Sequence, residues 1–199
     1  MKKILLAGVI GGIVLFVWGW LVWAVLPLHE GDFKTLGNEE AVVDVLRSSA
    51  AEHAVYAVPG KPQETTGMST EQRKAMMDEW AKKHQRGPVA LIVYSPTGTD
   101  PMMTAQMILG LLIMMITAAM AAWFLSRSTA AASGYIVRVI FCGMLGVFAS
   151  FVVHLMYWNW FYFPLNYTTA MVADTIIGWL LAGLVIGAIV KTPRSTAEK

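Results

Sequence analysis

Two ionisable residues, His154 and Asp174, lie inside long apolar stretches of the chain. An ionisable side chain within the hydrocarbon of a membrane is costly, so such a residue often marks a proton path, an ion path or a ligand site. His154 lies near the end of one stretch and Asp174 near the start of the next. Because consecutive membrane helices run antiparallel, we expect both side chains near the same face, close enough to form an intramembrane polar pair.

This pair has two interpretations. In the first, a structural hydrogen bond between His154 and Asp174 locks the third and fourth helices together. In the second, the two residues belong to a proton or cation path, or they bind a substrate or a partner's charge. The residues that follow Asp174, from Thr175 to Leu180, include none that could carry a charge further. This pattern weakens the transport hypothesis.

The remaining polar residues show no catalytic constellation, and we predict a protein that is not an enzyme and holds no metal or cofactor. His29, His53 and His84 are scattered along the chain. A divalent cation at His29, Glu30 and Asp32 stays an open alternative.

The sequence also gives little evidence for a copper site or a disulfide formed by its sulfur-containing residues. The thirteen methionines include several in the second apolar stretch. Thioether sulfur is a ligand for copper(I), but methionine in an apolar helix is more often an adaptable packing residue. The single cysteine, Cys142, allows no disulfide framework.

Four apolar stretches dominate the composition, which is 56% hydrophobic and 14% charged, against about 25% charged in ordinary soluble domains. Each reaches the roughly 20 residues that a helix needs to cross a membrane. We predict transmembrane spans within residues 1–26, 102–125, 135–157 and 168–190. The first is longer than the apolar region of a signal peptide, about 7–15 residues, and we interpret it as an uncleaved signal anchor.

Basic residues flank the four spans on one side, which the positive-inside rule assigns to the cytoplasm. They are Lys2, Lys3, Arg127, Arg138, Lys191, Arg194 and Lys199. We therefore predict a multi-pass protein of the bacterial inner membrane with cytoplasmic termini, a cytoplasmic loop at 126–134 and a cytoplasmic tail at 191–199. Arg138 is expected to reach the lipid phosphates as a cytoplasmic anchor.

Residues 27–101 then form a periplasmic domain between the first and second spans. Asn38 and Ser69 are predicted helix caps, and strands are predicted at 54–58 and 89–94, with their pairing undecided. A core of this size gives only marginal stability by itself, so we expect contact with the membrane or with a partner to stabilise the domain. The predicted fold class is a membrane all-α four-helix bundle with a small α+β extracytoplasmic domain.

Aromatic and polar residues gather at the predicted outer ends of the spans and in an aromatic outer loop at 158–167. We interpret Trp23, His29, Trp158, Asn159 and Trp160 as interfacial residues, because amphipathic side chains collect at membrane surfaces. A stacking platform for a quinone, a lipid or haem is the alternative.

Small residues recur at four-residue spacing in the first and fourth spans. They are Gly8 and Gly12 in the first, and Gly183 and Gly187 in the fourth. Such spacing lets helix backbones approach closely. It is typical of packing inside one bundle or of contact with another subunit.

Three short segments resemble those of a group of bacterial four-span inner-membrane proteins of unassigned function. The segments are Trp23–His29, Trp158–Trp160 and Ala173–Trp179. The resemblance implies the same four-span layout and brings no activity with it. It identifies His29, Trp158, Asn159 and Asp174 as positions to test.

These observations favour a non-enzymatic accessory, scaffold or assembly subunit of an envelope complex. The expected partners are membrane lipids and other membrane-protein subunits or further copies of this chain, and no nucleic acid is expected. One alternative is a small oligomeric transporter or channel that uses His154 and Asp174. A second alternative is a redox subunit that binds quinone or haem.

Overall fold

A computed structural model describes residues 1–191 of the chain, so the predicted basic residues Arg194 and Lys199 lie outside the described residues. The fold divides into two compact units. One unit comprises Met1–Lys34 and the chain from Asp100 onward, and the other comprises Thr35–Thr99.

The first unit is built from long apolar helices. They are α1 (Lys2–Ala24), α4 (Thr104–Arg127), α5 (Tyr135–Ser150), α6 (Met156–Phe161) and α7 (Leu165–Ile189). A π-helical turn, Phe151–Leu155, joins α5 to α6, so these three segments form one continuous helical span. The structure thus contains four helices long and apolar enough to cross a membrane. This confirms the prediction of a mostly helical, multi-pass membrane protein.

The helices of this unit pack in the order α4, α1, α7, α5. Helix α1 lies along α4 and along α7, and α7 lies along α5, whereas α4 meets α5 and α7 only briefly. Small residues allow these close approaches. The buried core consists of Ala7, Ala118, Ala121, Ala122, Leu125, Cys142, Ala182, Ile186 and Val190. It therefore fills the end of the bundle near Lys2, Arg127 and Arg138.

The second unit contains α2 (Glu39–Ser49), β1 (Ala54–Val58), α3 (Thr70–Arg86) and β2 (Ala90–Tyr94). The side chain of Asn38 accepts from the amide of Ala41, and Ser69 forms a reciprocal capping box with Gln72. Both helices therefore begin at the predicted caps. The two strands are antiparallel, with Val55 opposite Val93 and Ala57 opposite Leu91, which decides the pairing that the sequence left open.

The predicted aromatic loop at 158–167 is shorter in the structure. Helix α6 continues to Phe161, and α7 already begins at Leu165. The chain reverses at Tyr162, whose φ of 58° lies in the left-handed region. Trp158, Asn159 and Trp160 therefore stand on a helix rather than in a loop.

Candidate functional site

Asp174 in α7 is held by the indole of Trp18 in α1. The Trp18 Nε1–H donates to Oδ1 of Asp174 at 2.7 Å and lies 3.1 Å from the backbone carbonyl oxygen of the same residue. Gly178, one turn further along α7, makes room for this indole, because an added Cβ would lie 2.9 Å from Trp18 Cδ1. The pair therefore connects α1 and α7 directly.

The other oxygen of Asp174 faces His29. A short 3₁₀ turn, Pro27–His29, follows α1 and places the imidazole between two carboxylates. His29 Nε2 lies 3.3 Å from Asp174 Oδ2, and His29 Nδ1 lies 2.7 Å from Asp32 Oδ2. The side chains of His29 and Asp32 are only 2% and 4% exposed, and that of Asp174 is 16% exposed. The three residues form a buried chain, which we call the Asp32–His29–Asp174 relay.

The contacts within the relay depend on protons that its side chains share. A carboxylate only accepts, and a neutral imidazole donates from one nitrogen alone. Because both ring nitrogens of His29 face carboxyl oxygens, the second contact needs a further proton on the ring or on a carboxyl group.

Trp23 covers the relay. Its indole stacks on the His29 ring, with centroids 3.9 Å apart and an interplanar angle of 9°. Phe33 lies against Trp23, with 6.0 Å between ring centroids, and contacts Tyr167 edge-on at 6.2 Å. Trp23 and His29, both predicted as interfacial residues, are thus brought together by stacking.

His154 and Asp174, the predicted polar pair, have different hydrogen-bond partners. The π-helical turn carries His154, whose Nε2 lies 2.9 Å from Thr175 Oγ1 on α7. Asp174 instead bonds to Trp18 and His29. His154 thus reaches the residue next to Asp174 in sequence. Its contact still joins the third and fourth spans, but through a hydroxyl group.

A cavity of about 640 Å³ opens beside Asp174. Helices α1, α4, α5 and α7 all contribute to its lining. The aromatic residues around it are Phe16, Trp18, Trp20, Trp23 and Trp179, and Asp174 is the charged residue among those that line it. We call this space the Trp–Asp cleft. Its size lies in the range of about 300–1,000 Å³ that is usual for small-molecule sites.

Arg138 binds backbone carbonyl groups at one end of α7. Its Nε donates to the carbonyl oxygen of Gly187 at 2.7 Å, and a terminal nitrogen of its guanidinium donates to the carbonyl oxygen of Ser133. A cation suits this position, because the last carbonyls of a helix are unpaired and partly negative. The side chain predicted as a lipid anchor therefore caps a helix.

The remaining predicted residues divide into exposed and packed groups. Trp158, Asn159 and Trp160 on α6 are exposed. The four predicted packing glycines lie against neighbouring helices within the unit: Gly8 and Gly12 against α4, and Gly183 and Gly187 against α5.

Sequence reasoning missed the roles of Trp18 and Asp32. In the sequence, Trp18 is one of three tryptophans in the first apolar stretch, and Asp32 is only an alternative metal-ligand candidate beside His29. The available signal was the spacing of three residues between His29 and Asp32 after Pro27, since one turn places such side chains together.

Among residues 1–191, no group of three or more His, Cys, Asp or Glu side chains is arranged to hold a metal ion. Both nitrogens of His29 already face carboxylates. No family model, curated protein or solved structure matches this chain.

Proposed function

We propose that the protein is a non-enzymatic accessory or assembly subunit of a bacterial inner-membrane complex. The observation that carries the proposal is an uncovered apolar sheet face in the unit Thr35–Thr99. Side chains alternate between the two faces of a strand. Val55, Ala57, Leu91 and Val93 therefore share one face, and all four are exposed. Val55 is 61% and Val93 74% exposed.

The opposite face of this sheet is covered better. Tyr56 and Tyr94 contact each other edge-on, with 6.3 Å between ring centroids, and both are half-buried. Trp80 of α3 reaches the end of β1, where its Nε1–H donates to the carbonyl oxygen of Pro59 at 3.4 Å. One face therefore packs within the unit. The other face, formed by Val55, Ala57, Leu91 and Val93, is left for a partner, and we call it the valine face.

The sheet also has two open edges, because the described residues contain only β1 and β2 in it. A two-stranded sheet is marginally stable in water, and unpaired strand edges are templates for pairing with another chain. A partner polypeptide that covers the valine face would stabilise the unit. This requirement fits a subunit that is complete only within an assembly.

A partner protein suits this face better than a lipid surface. Binding to anionic lipid uses clusters of lysine and arginine, and the valine face contains none. Residues 35–99 carry seven Lys or Arg and eight Asp or Glu, so the unit as a whole is not cationic either. We therefore assign the face to another membrane-protein subunit.

The proposed orientation places both termini in the cytoplasm and residues 27–101 on the periplasmic side. It is supported by Lys2 and Lys3 at the start of α1, and by Arg127 and Arg138 at the ends of α4 and α5 that meet in the short connection. Cysteine labelling tests it, because the native Cys142 is buried. In intact cells, an impermeant maleimide should label Gln63→Cys and leave Thr129→Cys unlabelled. The reverse pattern would invert the topology.

Gentle extraction of the tagged protein from its native membrane tests the accessory role. We expect a stoichiometric partner that is retained by wild type and lost from the double variant Val55→Glu, Val93→Glu. The matched control, Gln63→Glu with Thr66→Glu, adds the same charge at exposed loop positions and should retain the partner. A photo-crosslinking residue at position 93 should capture the same partner, and one at position 63 should not.

Two results would contradict the proposal. One is wild-type protein that leaves the membrane without any stoichiometric partner. The other is a partner that both double variants retain equally. Because all the substituted side chains are exposed, the variants should unfold at the wild-type temperature, which circular dichroism verifies.

A further inference from the structure

We propose that the Trp–Asp cleft binds a lipophilic organic cation, a ligand site independent of the accessory role. The cleft combines two features that favour such a ligand. Aromatic faces attract cations through the ring quadrupole, and tryptophan does so best. The carboxyl group of Asp174 lines the cleft, and the apolar surface around it suits a ligand that combines a positive charge with a large apolar part.

The charge of the side chains that line the cleft determines which ligand charge the cleft favours. Asp174 lines the cleft and belongs to the Asp32–His29–Asp174 relay, which contains two carboxyl groups and one imidazole. Among residues 1–191, no lysine or arginine lines the cleft. In a site of low dielectric constant, a carboxylate without a basic side chain beside it in the lining favours a monovalent cation over an anion of the same size. The cleft is thus complementary to a single positive charge.

The two threonines and the aspartate of the cleft offer little to a neutral acceptor such as a quinone. Thr117 donates to backbone carbonyls of its own helix, and Thr175 is paired with His154. An ionised Asp174 carboxylate only accepts. A ligand that brings positive charge therefore suits Asp174 better than one that brings carbonyl oxygens.

A free cation fits better than the choline headgroup of a lipid. The choline group is followed by a phosphate, whose negative charge would require a basic neighbour. Since the lining contains none, a phosphate beside Asp174 would be repelled. We assign the site to a quaternary ammonium or phosphonium compound with an apolar body.

Equilibrium dialysis of the purified full-length chain tests this assignment, with tetraphenylphosphonium as the probe. Tetraphenylborate is the matched control, because it has nearly the same size and apolar surface and the opposite charge. We expect saturable binding of the phosphonium and only unsaturable partitioning of the borate. Excess phosphatidylcholine should not displace the phosphonium, which distinguishes a free cation from a lipid headgroup.

Two variants locate the site. Asp174→Asn should weaken phosphonium binding by about tenfold or more, and Asp100→Asn, whose carboxylate does not line the cleft, should bind as wild type does. Because Asp174 also bonds to Trp18 and His29, its substitution can unfold the protein. Gly19→Phe avoids this problem: Gly19 lines the cleft, and an added Cβ would meet only the end of Met114 at 3.9 Å.

Gly19→Phe should fill the cleft and abolish saturable binding. Its control is Gly110→Phe on α4, where no atom of the described part of the chain lies within 4 Å of an added Cβ. Equal binding of phosphonium and borate would overturn the proposal, as would displacement by phosphatidylcholine. Phosphonium binding unchanged in Gly19→Phe would also overturn it, and this variant decides the question if Asp174→Asn does not fold.

Discussion

The indole N–H of Trp18 in α1 donates to the carboxylate of Asp174 in α7 at 2.7 Å. This bond joins two residues that are 156 positions apart in the chain. A carboxyl group within a membrane span needs such a partner, because an unpaired charge there is costly. The bond also orients the second oxygen of Asp174 toward His29. The Trp18–Asp174 pair is therefore the first interaction to test.

Trp18→Phe keeps the aromatic ring and removes the N–H donor. We expect a loss of about 1–3 kcal/mol in unfolding free energy, since a buried acceptor loses its partner. Thermal unfolding in mild detergent measures it. Trp20→Phe is the control, because the Trp20 side chain is exposed and lines the same cleft; an equal loss in both variants would show that the hydrogen bond is unimportant.

Gly12→Ala should disrupt the contact between α1 and α4. An added Cβ would lie 2.5 Å from the backbone Cα of Met115, which cannot move without separating the helices. We expect destabilisation of about 1–3 kcal/mol, the usual cost of overpacking, measured by unfolding in detergent. Gly110→Ala on α4 meets open space and should leave stability unchanged or slightly raised. Equal stability of the two variants would contradict the observed packing.

Arg138→Lys distinguishes helix capping from lipid anchoring. A lysine keeps the positive charge for lipid phosphates but lacks the planar fork that reaches two carbonyl groups. If capping of α7 matters, the variant should lose about 1–3 kcal/mol of stability. Arg127→Lys is the control, because the Arg127 guanidinium lies over the Trp123 ring, where lysine also binds. Unchanged unfolding of Arg138→Lys would leave anchoring as the main role.

Glu71 makes the start of α3 sensitive to pH. Hydrogen bonds from the backbone and from the Ser69 hydroxyl lower the pKa of Glu71 below its ordinary value of 4.5. A pKa that is lower in the folded state adds stability above the unfolded value, and this contribution disappears as the pH falls through the lowered pKa. NMR titration of a side-chain label at Glu71 should therefore report a low pKa.

Ser69→Ala removes the cap and one hydrogen bond to Glu71. We expect the pKa of Glu71 to rise toward its ordinary value, and amides in the first turn of α3 to exchange about fivefold faster. Ser48→Ala is a suitable control, since the Ser48 hydroxyl bonds only within α2. A Glu71 pKa that is the same in wild type and Ser69→Ala would show that the serine does not contribute.

Much of the local structure could be predicted because its causes are local. The four spans follow from the length of their apolar stretches. The caps at Asn38 and Ser69 follow from side chains that bond to amides within one turn. The end of α3 at Arg86 follows from Gly87, whose φ of 67° suits glycine. Each of these interactions spans only a few residues, so the printed sequence is enough to predict it.

The partners of Asp174 depend on tertiary structure. Sequence position indicates the depth of a residue along a helix but not the neighbour toward which it points. His154 lies at a depth suitable for contact with Asp174, yet its imidazole, on the π-helical turn, bonds to the hydroxyl of Thr175. The rotation of α1 and α7 about their axes brings Trp18 to Asp174, and the turn after α1 adds His29 and Asp32. The sequence alone thus determined which helices and caps form, and only the packing of those helices decided the relay and the cleft.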